Sequence, residues 1–327
     1  MTRASHVICC TLTAAEAESV EVGEILTAGR QLAETLQVEA RWLAVAPEAG
    51  DVPATAAKYG LTIVDVIQPS AADPGDDWTS ASIGDYLRNH PNAVVVLGQT
   101  PMARLVAPRV AARAGYGILM NVLSAEATPN GELSATVRAY GGDVQTTYDL
   151  VGDGGWILGL MPRMVTAHPA PIEETDVLVN AVEPPAIAAA SAVRIVSEAK
   201  PASNRIEDAT VLVAGGRGLG EAGNFRFVEE AARALGGMAA ASRPLVDDGW
   251  VDSSRQVGLT GKIVYPDLYV AAGISGASQH MAGCSSARVI VAINRDGRAP
   301  IFRYAHYGFV GDAVEFLKAL ASAAEVS

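Results

Sequence analysis

The chain has 327 residues, about twice the usual domain length, so two domains are the expectation. Half of its residues are hydrophobic, 18% are charged and the formal net charge is -12, a balance that argues against general affinity for nucleic acid or anionic membranes. Val, Ile, Leu and Ala dominate and aromatics are few, which suits buried parallel sheets flanked by Ala-rich helices.

An apolar β-rich run from His6 to Leu12 predicts a strand, apolar residues at helical spacing over Val20 to Leu36 predict a helix, and Ala40 to Ala46 predicts a second strand. This βαβ pattern continues with a short helix at Thr55 to Tyr59, a strand at Ile63 to Ile67, a helix at Ala81 to Arg88 and a strand at Ala93 to Leu97. Thr100 reads as an N-cap with Pro101 at the first helical position, opening a helix through Ala114. The pattern then changes. Ala135 to Tyr140, Val144 to Leu150 and Trp156 to Leu160 read as antiparallel or edge strands joined by turns at Gly141-Gly142 and Gly152 to Gly155. The Pro-rich, acidic stretch Pro169 to Pro185 reads as the end of that domain and a connector, which places a first domain at 1–190, a linker at 191–204 and a second domain at 205–327.

The second domain predicts a strand at Thr210 to Ala214, a helix from about Phe225 to Leu235, strands at Leu268 to Ala272 and Val289 to Ile293, and a closing helix from Gly311 to Ala324. Residues 1–204 hold 12 basic and 23 acidic side chains, whereas residues 205–327 hold 12 and 13, so the second domain is the better host for an anionic ligand. Cys9, Cys10 and Cys284 cannot make a disulfide framework and read as reduced core residues. No signal pattern and no apolar run of bilayer length is present, so a cytoplasmic location is expected.

Four turns could hold a ligand. Gly215-Gly216-Arg217-Gly218-Leu219-Gly220 follows a strand and precedes a helix, where backbone N–H groups can cradle a phosphate; taken alone it fits equally a tight strand-to-helix turn. Ala241-Ser242-Arg243-Pro244 ends a short strand, though a surface loop with a solvated Arg fits it as well. Gln256-Val257-Gly258-Leu259-Thr260-Gly261-Lys262 combines glycines that allow close backbone approach with a Thr hydroxyl able to bond a heterocycle nitrogen. Gly273-Ile274-Ser275-Gly276-Ala277-Ser278-Gln279-His280 is a second Gly/Ser loop opening a helix, and Asn294 ends a buried strand where open α/β sheets bind ligands. Together the turns describe a dinucleotide site sized for an extended FAD.

In order and spacing, these segments resemble the FAD domain of electron transfer flavoprotein alpha subunits, and Ala299-Pro300-Ile301-Phe302, Tyr307-Gly308 and Asp312 continue the likeness. The first domain is similar more loosely, at Leu105 to Ala114 and Tyr140-Gly141-Gly142. The resemblance implies an α/β fold of two domains: a first one like flavodoxin and the adenine-nucleotide hydrolases, and a doubly wound parallel-sheet FAD domain like that of deoxyhypusine-synthase-type NAD/FAD binders. It implies that Arg217, Ser242, Arg243, Gln256, Val257, Gly258, Leu259, Thr260, Ser275, Gly276, Ala277, Ser278, Gln279, His280, Asn294 and Asp312 line the FAD site. Arg243 would sit over the ring, Thr260 at the flavin N5, Ser275 and Gln279 at the ribityl or pyrophosphate, and Asn294 with Asp312 at the adenosine end. Arg243 and His280 would supply the positive charge or donors that favour a reduced, anionic flavin.

The implied partner is a homologous beta subunit holding AMP or a second flavin, with acyl-CoA or other flavin dehydrogenases as donors and a membrane quinone reductase as acceptor. Two departures stand out: Leu259 where the family commonly has Gln, and His306 where it has an acidic residue. A nicotinamide-dependent dehydrogenase, or a subunit that has lost its cofactor, is the alternative reading of the same turns.

Overall fold

Along the first strand, Val7 and Cys9 face one apolar cluster while Ile8 and Cys10 face another, so a period of two serves two cores at once. In the computed structural model, which describes residues 4–19, 21–46, 51–69, 75–127, 132–139, 144–152, 154–185 and 205–324, that strand lies inside a large sheet. The chain divides into two units by contact, whose described residues lie within 4–185 and within 205–324. The expected linker and the Gly141-Gly142 turn lie outside the described residues.

The first unit runs β1 (His6–Thr11), α1 (Ala14–Ala17), α2 (Val22–Leu36), β2 (Glu39–Val45), α3 (Val52–Lys58), β3 (Ile63–Ile67), α4 (Gly75–Arg88), β4 (Val94–Gly98) and α5 (Pro101–Ala114). It continues with β5 (Gly117–Ala127), β6 (Leu133–Ala139), β7 (Val144–Leu150), β8 (Trp156–Leu160) and β9 (Leu178–Val182). The sheet order is β7-β6-β5-β8-β4-β1-β2-β3-β9. Thr100 caps α5 as expected, its hydroxyl accepting from the Ala103 N–H at 3.1 Å. Two expectations are corrected. β8 is no antiparallel or edge strand: it runs parallel to both β4 and β5 and lies between them. The Pro-rich segment is more than a connector, because Leu178–Val182 pairs in parallel with β3 and closes the far edge of the sheet.

A buried polar cluster ties that edge together. Asp65 of β3 accepts from the Tyr86 hydroxyl (2.5 Å), Arg41 Nη1 (3.1 Å) and Asn180 Nδ2 of β9 (2.9 Å). Cys9 and Cys10 are fully buried beside it in the sheet, and burial pushes the Cys9 thiol up to about 12, which leaves it inert.

The second unit runs β10 (Val211–Gly215), α6 (Phe225–Ala234), β11 (Met238–Ser242), α7 (Arg243–Asp247), β12 (Gln256–Val257), β13 (Leu268–Ala272), α8 (Ser278–Met281), β14 (Val289–Asn294), β15 (Tyr307–Val310) and α9 (Ala313–Ala324). All pairs are parallel and the order is β12-β11-β10-β13-β14-β15, so the strands count 3-2-1-4-5-6 within the unit. That is the doubly wound dinucleotide-binding order, with its switch point between β10 and β13. Phe225, Val228, Ala231 and Leu317 of α6 and α9 cover one face of the sheet, while Val257, Met281, Cys284 and Ile301 cover the other.

Candidate functional site

Because every strand of the second unit points the same way, the turns after β10, β11, β12, β13 and β14 emerge on one edge. Every residue proposed from the sequence lies on or next to that carboxyl edge, where open α/β sheets hold their ligands. The two glycine turns flanking the switch point pack directly on one another. A Cβ on Gly216 would lie 2.4 Å from the Gly273 carbonyl oxygen, and one on Gly218 would lie 2.7 Å from the Gly273 Cα. Four of the N–H groups expected to cradle a phosphate are committed within the protein: Gly216 donates to Ala272, Gly218 to Gly273, Leu219 to Gly216 and Gly220 to Arg217. The glycines of the first turn therefore serve close backbone approach.

Arg217 stands exposed in that turn and pairs with Asp248 at 3.2 Å. Ser242, buried, is the N-cap residue of α7, and Arg243 opens the helix with Pro244 behind it. The Arg243 guanidinium is 61% exposed and pairs only with Asp247, one helical turn on, among the described residues. It is available to a ligand at the edge.

The turn after β12 and the start of α8 meet each other. Gly258 has a φ of +142°, and a Cβ there would come within 3.0 Å of the Gln279 carbonyl oxygen, which accepts from the Leu259 N–H at 2.7 Å. Gln256 Nε2 donates to the Thr260 hydroxyl oxygen at 3.1 Å, which leaves the Thr260 O–H to donate outward. Leu259 is 63% exposed, an apolar side chain on a polar edge. Ser275, Ala277, Ser278 and Gln279 are exposed on the loop, while Gly276, with a φ of +80°, passes so close to Ile301 that a Cβ would lie 2.4 Å from its backbone.

Asn294 and Asp312 are used structurally. Asn294 donates to the Ile274 carbonyl (2.9 Å) and accepts from the Asp296 N–H (3.0 Å). Asp312 caps α9 by accepting from Val314 and Glu315 N–H groups and pairs with Arg295. His306, the second departure, is also structural: its Nδ1 accepts from the Ile290 N–H at 3.0 Å, as a carboxylate would.

His280 differs from the rest. It is 8% exposed, its Nε2 lies 2.9 Å from the hydroxyl of Tyr269, and its Nδ1 is buried without a hydrogen-bond partner among the described residues. Burial lowers its pKa to about 4, with the Val257 carbonyl acting weakly the other way. The ring is neutral near pH 7, so it contributes to the edge as a dipole and not as the positive charge expected of it. A cavity of about 820 Å³ opens elsewhere, at the amino-terminal ends of β11 and β12, lined by Arg205, Arg233, Met238 and Arg255; no carboxyl-edge turn except at Lys262 lines it.

Comparison with known proteins decides the family. The electron transfer flavoprotein domain model matches residues 21–203, and the electron transfer flavoprotein FAD-binding domain model matches residues 205–285. The chain belongs to the electron transfer flavoprotein alpha-subunit family. Electron transfer flavoprotein subunit alpha of Thermoanaerobacterium thermosaccharolyticum is 33% identical over 91% of this chain and 91% of its own length. Protein FixB of Azorhizobium caulinodans is 34% identical over 92% of this chain and 83% of its own. Protein FixB of Azotobacter vinelandii reaches 55% identity over a 115-residue stretch.

FAD binding belongs to this family's second domain, and the residues present fit the cofactor. A dinucleotide needs close-approach backbone, anion partners and a few donors to polar ring atoms. Gly258 and Gly276 supply the first, the exposed guanidiniums of Arg217 and Arg243 the second, and the unpartnered Nδ1 of His280 with the Thr260 O–H the third. No metal cluster and no helix long and apolar enough to cross a membrane occurs among the described residues.

Proposed function

We propose that this chain is the FAD-carrying subunit of a two-subunit electron carrier, paired with a homologous beta subunit that holds AMP or a second flavin. It takes electrons from acyl-CoA or other flavin dehydrogenases and passes them on to a membrane quinone reductase, working in the bacterial cytoplasm. FAD supplies the one- and two-electron chemistry, which no side chain at this edge carries. Arg217, Ser242, Gly258, Ser275 and Gln279 hold and orient the dinucleotide, and Asn294 and Asp312, through their bonds inside the protein, shape the backbone at its adenosine end. Arg243, Thr260 and His280 set the polarity around its ring.

The observation that carries the reading is the buried, unpartnered Nδ1 of His280 beside a glycine loop on the ligand-binding edge. An orphaned polar atom of this kind costs about 1–3 kcal/mol and is compensated once a ligand atom meets it. A nicotinamide enzyme fits less well. That class places an acidic side chain at the end of the second strand to bind the ribose, and here β11 ends in Ser242 followed by Arg243.

The test is a visible absorption spectrum of the purified protein, alone and with a co-expressed beta subunit, followed by stepwise anaerobic reduction with dithionite. A flavin spectrum that bleaches stoichiometrically supports the carrier; a colourless protein under both conditions leaves the cofactor-free or nicotinamide reading standing.

A further inference from the structure

A phenol and an imidazole facing each other leave two ways to place the proton. Either the Tyr269 hydroxyl donates to His280 Nε2, and the ring carries its own proton on Nδ1, or Nε2–H donates to the phenol oxygen and Nδ1 presents a lone pair. The surroundings distinguish them. Cys284, also buried, turns its S–H toward the His280 carbonyl at 3.6 Å, and its sulfur, a weak acceptor, is the competing side chain beside the phenol among the described residues. The imidazole nitrogen is the stronger acceptor.

We infer that Tyr269 is a positioning residue: from the floor of β13 its hydroxyl holds the His280 ring as the neutral Nδ1–H tautomer and presents that N–H as a donor to an acceptor atom of the bound flavin. This rests on the FAD-carrier reading. Tyr269 is completely buried in the sheet, so it acts only through His280. The geometry makes His280 a donor without a formal charge, and electron density added to the ring acceptor strengthens the contact.

The experiment is nitrogen-15 NMR of histidine-labelled protein, purified with its beta subunit, together with the flavin midpoint potential, for wild type and Tyr269→Phe. In wild type we expect a pyrrole-type shift at Nδ1 and a pyridine-type shift at Nε2 of His280. In Tyr269→Phe, which keeps the ring volume, we expect a mixed tautomer signal and a potential shifted to a more negative value with FAD retained. Cys284→Ala should move neither. A pyridine-type Nδ1 in wild type overturns the assignment whether or not Tyr269→Phe folds, as does an unchanged tautomer and potential in folded Tyr269→Phe. If wild type binds no FAD, the carrier reading fails by itself, while the tautomer of the cofactor-free chain still decides the role of Tyr269.

Discussion

The burial of His280 has a measurable consequence for stability. Its folded pKa of about 4 lies below the ordinary value of 6.5, because the sheet and α8 withhold the water that a charged ring needs. The unfolded chain takes up its proton as the pH falls through 6.5, the folded chain only near 4, so between those values the unfolded state binds more protons. The histidine's contribution is fully present above pH 6.5 and is lost as the pH falls toward 4. At about 1.4 kcal/mol per pH unit the loss across the window comes to roughly 3 kcal/mol. The comparison is between wild type and His280→Gln, whose side chain does not titrate, followed by hydrogen exchange of β13 and β14 amides so that only the second unit is read. Over this pH range the protection of wild type should fall by roughly 3 kcal/mol more than that of His280→Gln. Equal losses, or a His280 ring that titrates near 6.5 by NMR, would refute the burial argument.

Substitutions at four other positions test separate links. Asp65→Ala leaves the buried Tyr86 hydroxyl without its acceptor and Arg41 with only its Glu39 ion pair among the described residues, and should cost about 1–3 kcal/mol in urea unfolding of the first unit. Gly216→Ala drives a Cβ into the Gly273 carbonyl, so it should cost about 1–3 kcal/mol and lower FAD content, read by flavin-to-protein absorbance. His306→Ala should destabilise the second unit by about 1 kcal/mol while His306→Asp restores it, because either side chain accepts the Ile290 N–H; equal melting temperatures for both would reject that role. Arg243→Ala removes only an exposed pair with Asp247, worth under about 1 kcal/mol, so the fold should be unchanged while the flavin midpoint potential becomes more negative.

Much of the fold was legible because its strands are buried on both faces. Ile63 to Ile67, Trp156 to Leu160 and Leu268 to Ala272 end where the apolar runs end, whereas Val144 to Leu150, polar and largely exposed, was marked by the turns around it. The misses have local causes. The helix α4 begins at Gly75, earlier than its apolar spacing suggests, because Thr79 and Ser80 turn their hydroxyls back to the Gly75 and Asp76 carbonyls and so fit a helix despite their polarity. The strand β5 is hard to read because its alternation breaks at a bulge, where Asn121 takes a φ of +62° and exchanges hydrogen bonds with Gln99. β9 and β15 are short edge strands whose side chains are largely exposed, so neither shows a burial period. The central placement of β8 was signalled by its unbroken Trp-Ile-Leu-Gly-Leu run, which suits a strand covered on both faces better than an edge.

The site was legible as positions and much less as roles, and the reason is that a sequence shows which polar groups a turn contains but not which of them the turn consumes. The N–H groups of Gly216, Gly218, Leu219 and Gly220 after β10, the amide of Asn294 and the carboxylate of Asp312 are each bonded inside the protein. Besides the exposed Ser275, Ser278 and Gln279, the edge still offers four groups to a ligand: the Arg217 and Arg243 guanidiniums on exposed pairs, the Thr260 O–H and the His280 Nδ1. Two of these carry charge at the solvent rim and two are neutral donors fixed by internal bonds to Gln256 and Tyr269. The rim charges are screened and adjustable, so they suit capture of an anionic dinucleotide. The fixed donors do not reorganise when charge appears beside them, so they suit a ring whose electron count changes. Of the two fixing partners Gln256 already stood in its motif, whereas Tyr269 could not be recognised, since it reads simply as one more residue of a buried strand.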